Sequence, residues 1–453
     1  MSSNNSRADF GSKIGMILAT AGSAVGLGNI WRFPTEAGKG GGGAFLIVYI
    51  ACILLVGLPL MTAEFVVGRA AHTNTAQAYK RLGGGWLWRH VGQFGVFIGW
   101  FILCYYIVVS GWTLNYLVTS LRLGPYGAAN WDTYFGEMVA RPWEPIVYMA
   151  VFMLMSHFVI VRGVQKGIEK FSKILMPLLF LIMVVLCVCS LFTPRAAEGL
   201  DFLFTPDFSQ LHFKTVLGAM GQAFYSLSIG MGCLCTYASY FSKETHLVKT
   251  AFQISAIDTL VAVMAGIIIF PACFSAGIEP DAGPSLVFIA LPKVFHDVFG
   301  AWPILAWVVS VLFYALLVLA TLTSAISLQE VPTAYLAEDC GLSRGAATSV
   351  VSGVCIALGA VCSLSMGPLS DWTLFGKNIF DLFDFVSSNI FLPLSGACIT
   401  FFVGWRLERS LLMDELTNGG AVSPTLARCL VGLLKYFVPF AIVLVFLSGI
   451  GIF

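Results

Sequence analysis

Two glycine-interrupted apolar stretches hold the residues of this chain best suited to chemistry. The first is Gly22-Ser-Ala-Val-Gly-Leu-Gly-Asn-Ile-Trp-Arg-Phe33, and the second is Gln222-Ala-Phe-Tyr-Ser-Leu-Ser-Ile-Gly-Met-Gly232. Each glycine weakens a helix by roughly 1 kcal/mol, so both stretches are predicted to unwind within apolar surroundings. Backbone groups freed there cost several kcal/mol apiece unless a ligand, ion or water meets them. The first break offers the carbonyls of Gly22, Ala24 and Val25 and the amide of Asn29 to a hard monovalent cation. Beyond it, the N–H groups of Leu27 and Gly28 open a second half-helix, whose positive end suits a carboxylate. A zwitterionic amino acid meets both needs. Polar companions are Ser226, Ser228, Asp258 and Thr323-Ser324. Asp258 is the only ionisable residue between Ile254 and Phe270, and a carboxylate at such depth points to function. Each feature alone has a plainer use: glycine stripes let helices pack closely, and buried Ser, Thr or protonated Asp side chains bond neighbouring backbone or helices. Two breaks in corresponding positions, with polar companions, point instead to a transporter's binding site.

The elements that must position these residues are membrane-spanning helices. The chain has 453 residues, 58% of them hydrophobic and 11% charged, with a mean hydropathy of +0.86. A soluble domain carries about 25% charged residues, so this is an all-α polytopic membrane protein. A net charge of +1 leaves no basic stripe for nucleic acid. Most of the twelve cysteines lie in apolar runs, without zinc-ligand spacing, and read as small buried hydrophobes. The polar first eleven residues lack a cleavable apolar region, so no signal peptide is expected. Eleven spans are predicted at about 12–36, 41–69, 90–122, 145–162, 168–192, 214–241, 249–276, 300–337, 345–364, 378–405 and 427–450. With the N-terminus in the cytoplasm, sixteen Lys and Arg residues fall inside and eight outside; the positive-inside rule selects this orientation, in the inner (plasma) membrane. The outer connections 123–144, 193–213 and 277–299 are long enough to pack as lids. The chain reads as one transmembrane domain over 1–453. Spans 1–5 (about 12–192) lie over spans 6–10 (about 214–405) as a 5+5 inverted repeat with broken helices 1 and 6, and an extra helix follows at about 427–450.

Ala24-Val-Gly-Leu-Gly-Asn-Ile-Trp-Arg-Phe-Pro34, Gly40-Gly-Gly-Gly-Ala-Phe45 and Gly57-Leu-Pro-Leu-Met-Thr-Ala-Glu64 resemble the signature of the neurotransmitter:sodium symporter family. Tyr105-Tyr106, Gly111-Trp112, Tyr237-Ala-Ser-Tyr240, Gly283-Pro-Ser-Leu-Val-Phe288, Phe295 and Leu322-Thr-Ser324 extend the likeness, which runs from residue 7 to about 405. Without a twelfth span, the chain is similar to the shorter bacterial members, which are amino-acid symporters with the LeuT-type fold.

The resemblance implies two sodium sites. One would use the carbonyls of Gly22, Val25 and Ala320 with the hydroxyls of Thr323 and Ser324. The other would use the Ala24 carbonyl, Asn29, Ser226, Asp258 and the carboxylate of an L-amino acid substrate. That carboxylate would also meet the N–H groups of Leu27 and Gly28 and the Tyr106 hydroxyl, and the ammonium would meet Ser228 and carbonyls of the second break. Ile102, Tyr106, Tyr225, Met231 and Ser324 would line the side-chain pocket, with Ala24, Phe224 and Ser226 among the substrate contacts. Met231, a flexible thioether, would let the pocket re-pack around hydrophobic side chains, aliphatic through aromatic. Where this chain has Asp258 the family commonly has Asn, and Ala262 stands where chloride-dependent members supply a hydroxyl. A fixed carboxylate would replace the charge chloride brings, so chloride independence is expected, with Asp258 free to titrate during the cycle. Arg32 and Asp384 match an outer gate, with Tyr106 and Tyr225 as a lid. Arg7 and Asp339 match an inner gate, with Phe10 as a plug and Tyr240 nearby. Gly167 and Pro177 resemble the family's unwinding motif in span 5, and Glu64 is expected to brace the second break.

The reading is a sodium-coupled symporter of hydrophobic L-amino acids, working in the lipid bilayer as a monomer or a dimer. A channel would need a continuous polar lining, and a transport-dead sensor would bind without flux. An enzyme is disfavoured because no Ser–His dyad or His-Glu-x-x-His motif lies within the spans.

Overall fold

The computed structural model describes residues 9–452 apart from 128, 279–285, 300 and 422. Among the described residues, nine uninterrupted helices are long and apolar enough to cross a bilayer. They are Gly43–Ala71, Trp86–Leu123, Glu144–Val161, Val164–Leu191, Leu247–Ala276, Pro303–Asp339, Arg344–Leu364, Ile379–Arg406 and Pro424–Gly449, which are spans 2–5 and 7–11. Span 1 is the bent pair Lys13–Ala24 and Gly28–Lys39, with 52° between its halves. Span 6 is split into Phe213–Ser226 and Cys233–Ala238. The protein thus has the all-helical, LeuT-type inverted-repeat fold expected from its sequence, with the two broken helices in the expected places.

Local chemistry explains each interruption. The first half of span 1 begins at Ser12, whose side chain caps Gly15 N–H. It ends where Val25 turns to an extended conformation (ψ 110°) while its N–H still reaches the Ala21 carbonyl. In the second break Ser228, Gly230 and Gly232 all take positive φ (54°, 82° and 74°); glycine does so freely, and serine at a cost. Glu64 braces this loop by accepting the Gly230 N–H at 2.7 Å, and Ser395 donates to the Gly230 carbonyl at 2.8 Å. The most hydrophobic stretch of span 3 is 78% buried inside the protein and that of span 11 only 28%, so span 3 belongs to the packed interior and span 11 to the rim. Short helices at Trp131–Ala140 and Ala196–Phe204 occupy the first two long connections. In the third, Tyr116 and Tyr314 donate to the carbonyls of Phe288 and Val287. Residues 283–285 of the expected Gly-Pro-Ser-Leu-Val-Phe motif lie outside the described residues.

Candidate functional site

The two breaks face each other. Ser228 Oγ donates to the Ser23 carbonyl at 2.7 Å and Gln222 Nε2 to the Gly28 carbonyl at 2.6 Å, so side chains of span 6 satisfy carbonyls bared by span 1. Beside them lies a cavity of about 30 Å³ lined by Ser23, Ala24, Gly26, Leu27, Gly28, Ile102, Tyr106, Tyr225, Ser228, Met231, Ser324 and Leu328. Nine of the eleven residues expected to contact substrate line it. Two do not. The Phe224 ring packs against span 10, where a Cβ on Gly396 would sit 2.7 Å from it, and the Phe224 carbonyl accepts the Ile229 N–H within the break. The Ser226 hydroxyl is taken by Asp258. Ser23, Gly26 and Leu328 join the lining without having been anticipated. The hydroxyls of Ser23 and Tyr106 are buried with no hydrogen-bond partner among the described residues. Such orphans cost about 1–3 kcal/mol each, which a polar ligand in the cavity would recover. Only glycine fits at position 26, because a Cβ there would lie 2.6 Å from Ser324 Oγ and 3.1 Å from the Tyr106 hydroxyl oxygen.

On one side of the cavity is a carboxylate knot. Asn29 Nδ2 donates to Asp258 Oδ1 (2.7 Å), to the Asp258 carbonyl (3.0 Å) and to Ser226 Oγ (3.0 Å). Ser226 Oγ lies 2.9 Å from both Asp258 carboxylate oxygens, and Tyr49 donates to Oδ2 at 3.2 Å. Asn29 Oδ1 in turn accepts the Gly26 N–H at 3.0 Å, linking the knot to the first break. Asn29 and Asp258 are fully buried. Sequence reasoning missed Tyr49, an aromatic within an apolar run whose hydroxyl gives no periodic signal.

On the other side lies a neutral cluster. Ser324 Oγ donates to the Val25 carbonyl at 3.0 Å, with the Ser23 and Gly22 carbonyls at 3.4 and 3.5 Å. Thr323 Oγ1 lies 3.0 Å from the Ala320 carbonyl, and a Cβ on Gly22 would stand 3.2 Å from Thr323 Cβ. All five residues expected at one cation site therefore converge. Among the described residues no group of three or more His, Cys, Asp or Glu side chains converges; the gathered donors are carbonyl, hydroxyl and carboxylate oxygens, which suit hard cations.

The expected gate residues meet other partners. Arg32 and Asp384 form no direct ion pair: the Arg32 guanidinium lies 4.7 Å above the Tyr225 ring, and Asp384 accepts from Ser388 at 3.3 Å. Stacking on a ring face is an alternative home for a weakly hydrated guanidinium. Arg7 lies outside the described residues. Its expected partner Asp339 is engaged by Arg89 (3.3 Å), Asn74 (2.9 Å) and Gln77 (2.9 Å). Nearby, fully buried Glu330 pairs with Arg344 at 2.5 Å and accepts from Tyr240 at 2.7 Å, and the Phe10 ring meets Tyr237 and Tyr240 edge-on at 6.0 Å. These partners come together only through tertiary packing, so spacing along the chain could not reveal them. In span 5 the helix runs unbroken from Lys170 through Pro177 to Leu191.

Broken helices facing each other across a cavity within an inverted repeat define an ion-coupled secondary transporter. Residues 7–137 and 135–453 match the model of the sodium:neurotransmitter symporter family, and the chain belongs to that family. It is 39% identical over 97% of both chains to a Bacillus subtilis protein named as an uncharacterized sodium-dependent transporter, YhdH. It is 28% identical to the rat sodium- and chloride-dependent transporter XTRP3, over 58% of this chain and 47% of that one. Among solved structures it is similar to MhsT in complex with L-phenylalanine, with a TM-score of 0.89 and 41% identity over 98% of this chain and 100% of that one. The protein is a multi-pass, sodium-dependent symporter.

Proposed function

We propose that the protein imports hydrophobic L-amino acids with sodium, independently of chloride. The observation that carries this reading is the cavity held between the two breaks, lined by Ser23, Ser228, Ser324 and the backbone of Gly26, Leu27 and Gly28 together with Ala24, Ile102, Tyr106, Tyr225, Met231 and Leu328. Among the described residues no charged side chain lines it, so a charged substrate side chain would be buried unpaired. The substrate carboxylate meets Leu27 and Gly28 N–H and the Tyr106 hydroxyl, and the ammonium meets Ser228 and the bared carbonyls. MhsT, with L-phenylalanine, supports the substrate class.

Two sodium ions bind, one in the neutral cluster of Gly22, Val25, Ala320, Thr323 and Ser324, and one beside Asn29, Ser226, Asp258, the Ala24 carbonyl and the substrate carboxylate. At the second site ion and substrate complete each other's shells, which couples them. Asp258 supplies a built-in carboxylate where chloride would otherwise bring the charge, and Tyr49, Ser226 and Asn29 hydrogen-bond its oxygens; this supports chloride independence. The cytoplasmic N-terminus, the repeat boundaries near 12–192 and 214–405, and gating by Arg32 over Tyr225 and by Asp339 belong to the same proposal. Purified protein in liposomes tests it: labelled Leu, Phe and Trp accumulate under an inward sodium gradient, with chloride or gluconate alike. Uptake without a sodium requirement, or robust stimulation by chloride, overturns it.

A further inference from the structure

We infer that the surface groove between spans 4 and 5 is a binding site for an anionic phospholipid. Its apolar slot of about 440 Å³ is lined by Val151, Leu154, Met155, Phe158, Phe171 and Leu322, with Val159 at its edge. Spans 4 and 5 are among the least covered by protein, their most hydrophobic stretches being 39% and 33% buried, so a bilayer chain reaches the slot directly. At its end the Arg162 guanidinium folds back to 4.0 Å from the Phe158 ring and 5.8 Å from the Phe171 ring. Stacked in this way, its in-plane N–H groups remain available to a phosphate. Lys166 and Lys170 are exposed on the next turns. No carboxylate pairs with Arg162, Lys166 or Lys170 among the described residues, whereas Lys173 is committed to Glu169 at 2.7 Å.

An apolar slot under an unpaired basic rim fits an acyl chain joined to a phosphate. A zwitterionic headgroup would bring its ammonium against the lysines, and a second copy of this chain would bring an equally basic rim, so both are poorer occupants. The site also adjoins the neutral oxygen cluster and the N-terminal segment. Leu322 adjoins Thr323, and the turn carrying Lys166 holds the start of the chain: Gln165 donates to the Asp9 carbonyl at 2.7 Å, and Glu169 accepts from Gly11 N–H at 2.6 Å and Ser12 at 2.8 Å. A lipid bound here steadies the turn that clasps the N-terminal segment.

The test is retention of lipid by the purified full chain, read by native mass spectrometry after exchange in mixed micelles of phosphatidylglycerol and phosphatidylcholine. Wild type retains phosphatidylglycerol preferentially, and inorganic phosphate does not displace it. The combined variant Arg162→Gln, Lys166→Gln, Lys170→Gln lowers that preference about tenfold or more, and Leu154→Trp, which fills the slot from its exposed side, lowers retention of both lipids. Equal retention of the two lipids by wild type overturns the inference, as does an unchanged preference in the triple variant, an unchanged load in Leu154→Trp, or self-association through this face. Should the triple variant fail to fold, Leu154→Trp decides. The readout needs no transport, so the symport proposal can fail without touching it.

Discussion

The two oxygen clusters flanking the cavity are built on opposite principles. The Asp258 cluster is charged, and side chains from spans 1, 2, 6 and 7 tie it together. The Thr323–Ser324 cluster is neutral and largely main chain, joining the first break to span 8. A carboxylate locked by three neighbours holds its shape whether or not an ion is near. Carbonyls held by a single hydroxyl depend far more on what lies between them. Under the proposed function, the first cluster fixes the substrate end of the site and the second reports cation binding to the scaffold.

Substitutions can break or sharpen that contrast. The largest effect is expected at the charged cluster: Asp258→Ala strands Asn29, Ser226 and Tyr49 at about 1–3 kcal/mol each, and sodium-driven uptake in liposomes should fall below about a hundredth of wild type. Uptake retained at half the wild-type rate would show that the knot is structural. Next, Thr323→Ala should weaken sodium activation about tenfold, read as the half-saturating sodium concentration, while leaving phenylalanine affinity at saturating sodium nearly intact. If both fall together, the clusters do not divide the work as described. Tyr49→Phe removes one hydrogen bond from the knot, worth about 0.5–1.5 kcal/mol, and should shift the sodium midpoint by roughly two- to tenfold; a chloride requirement appearing in this variant would locate the anion-replacing role in the Tyr49–Asp258 pair. Smallest is Arg89→Gln. The Arg89–Asp339 pair joins a 38% exposed side chain to a buried one, and partly solvated pairs contribute about 0–1 kcal/mol, so a change of no more than about fivefold in transport rate is expected.

The breaks, the spans and most cavity residues were legible in the sequence because each follows from a local rule: glycine density, hydropathy length, or an isolated carboxylate in an apolar run. Directions were not. Phe224 and Tyr225 are adjacent, yet one ring turns to Gly396 and the other lines the cavity, a choice set by the packing of span 10. Arg32 and Asp384 are not in direct contact for a related reason: charge complementarity names possible partners, and a nearby ring can hold the guanidinium instead. Tyr49 and Arg89 were invisible because nothing around them in the chain reports what faces them from spans 7 and 8.

The 2.7 Å bond from Ser228 to the Ser23 carbonyl bears on how the carrier avoids slippage. It links one interrupted helix to the other at the level where both are weakest, so moving one alone breaks that bond. A half-assembled binding place would let cargo or ions cross alone and waste the gradient. A link worth about 0.5–1.5 kcal/mol biases the two hinges toward joint movement, so the full penalty against leak must come from the ions and cargo that fill the gap between them.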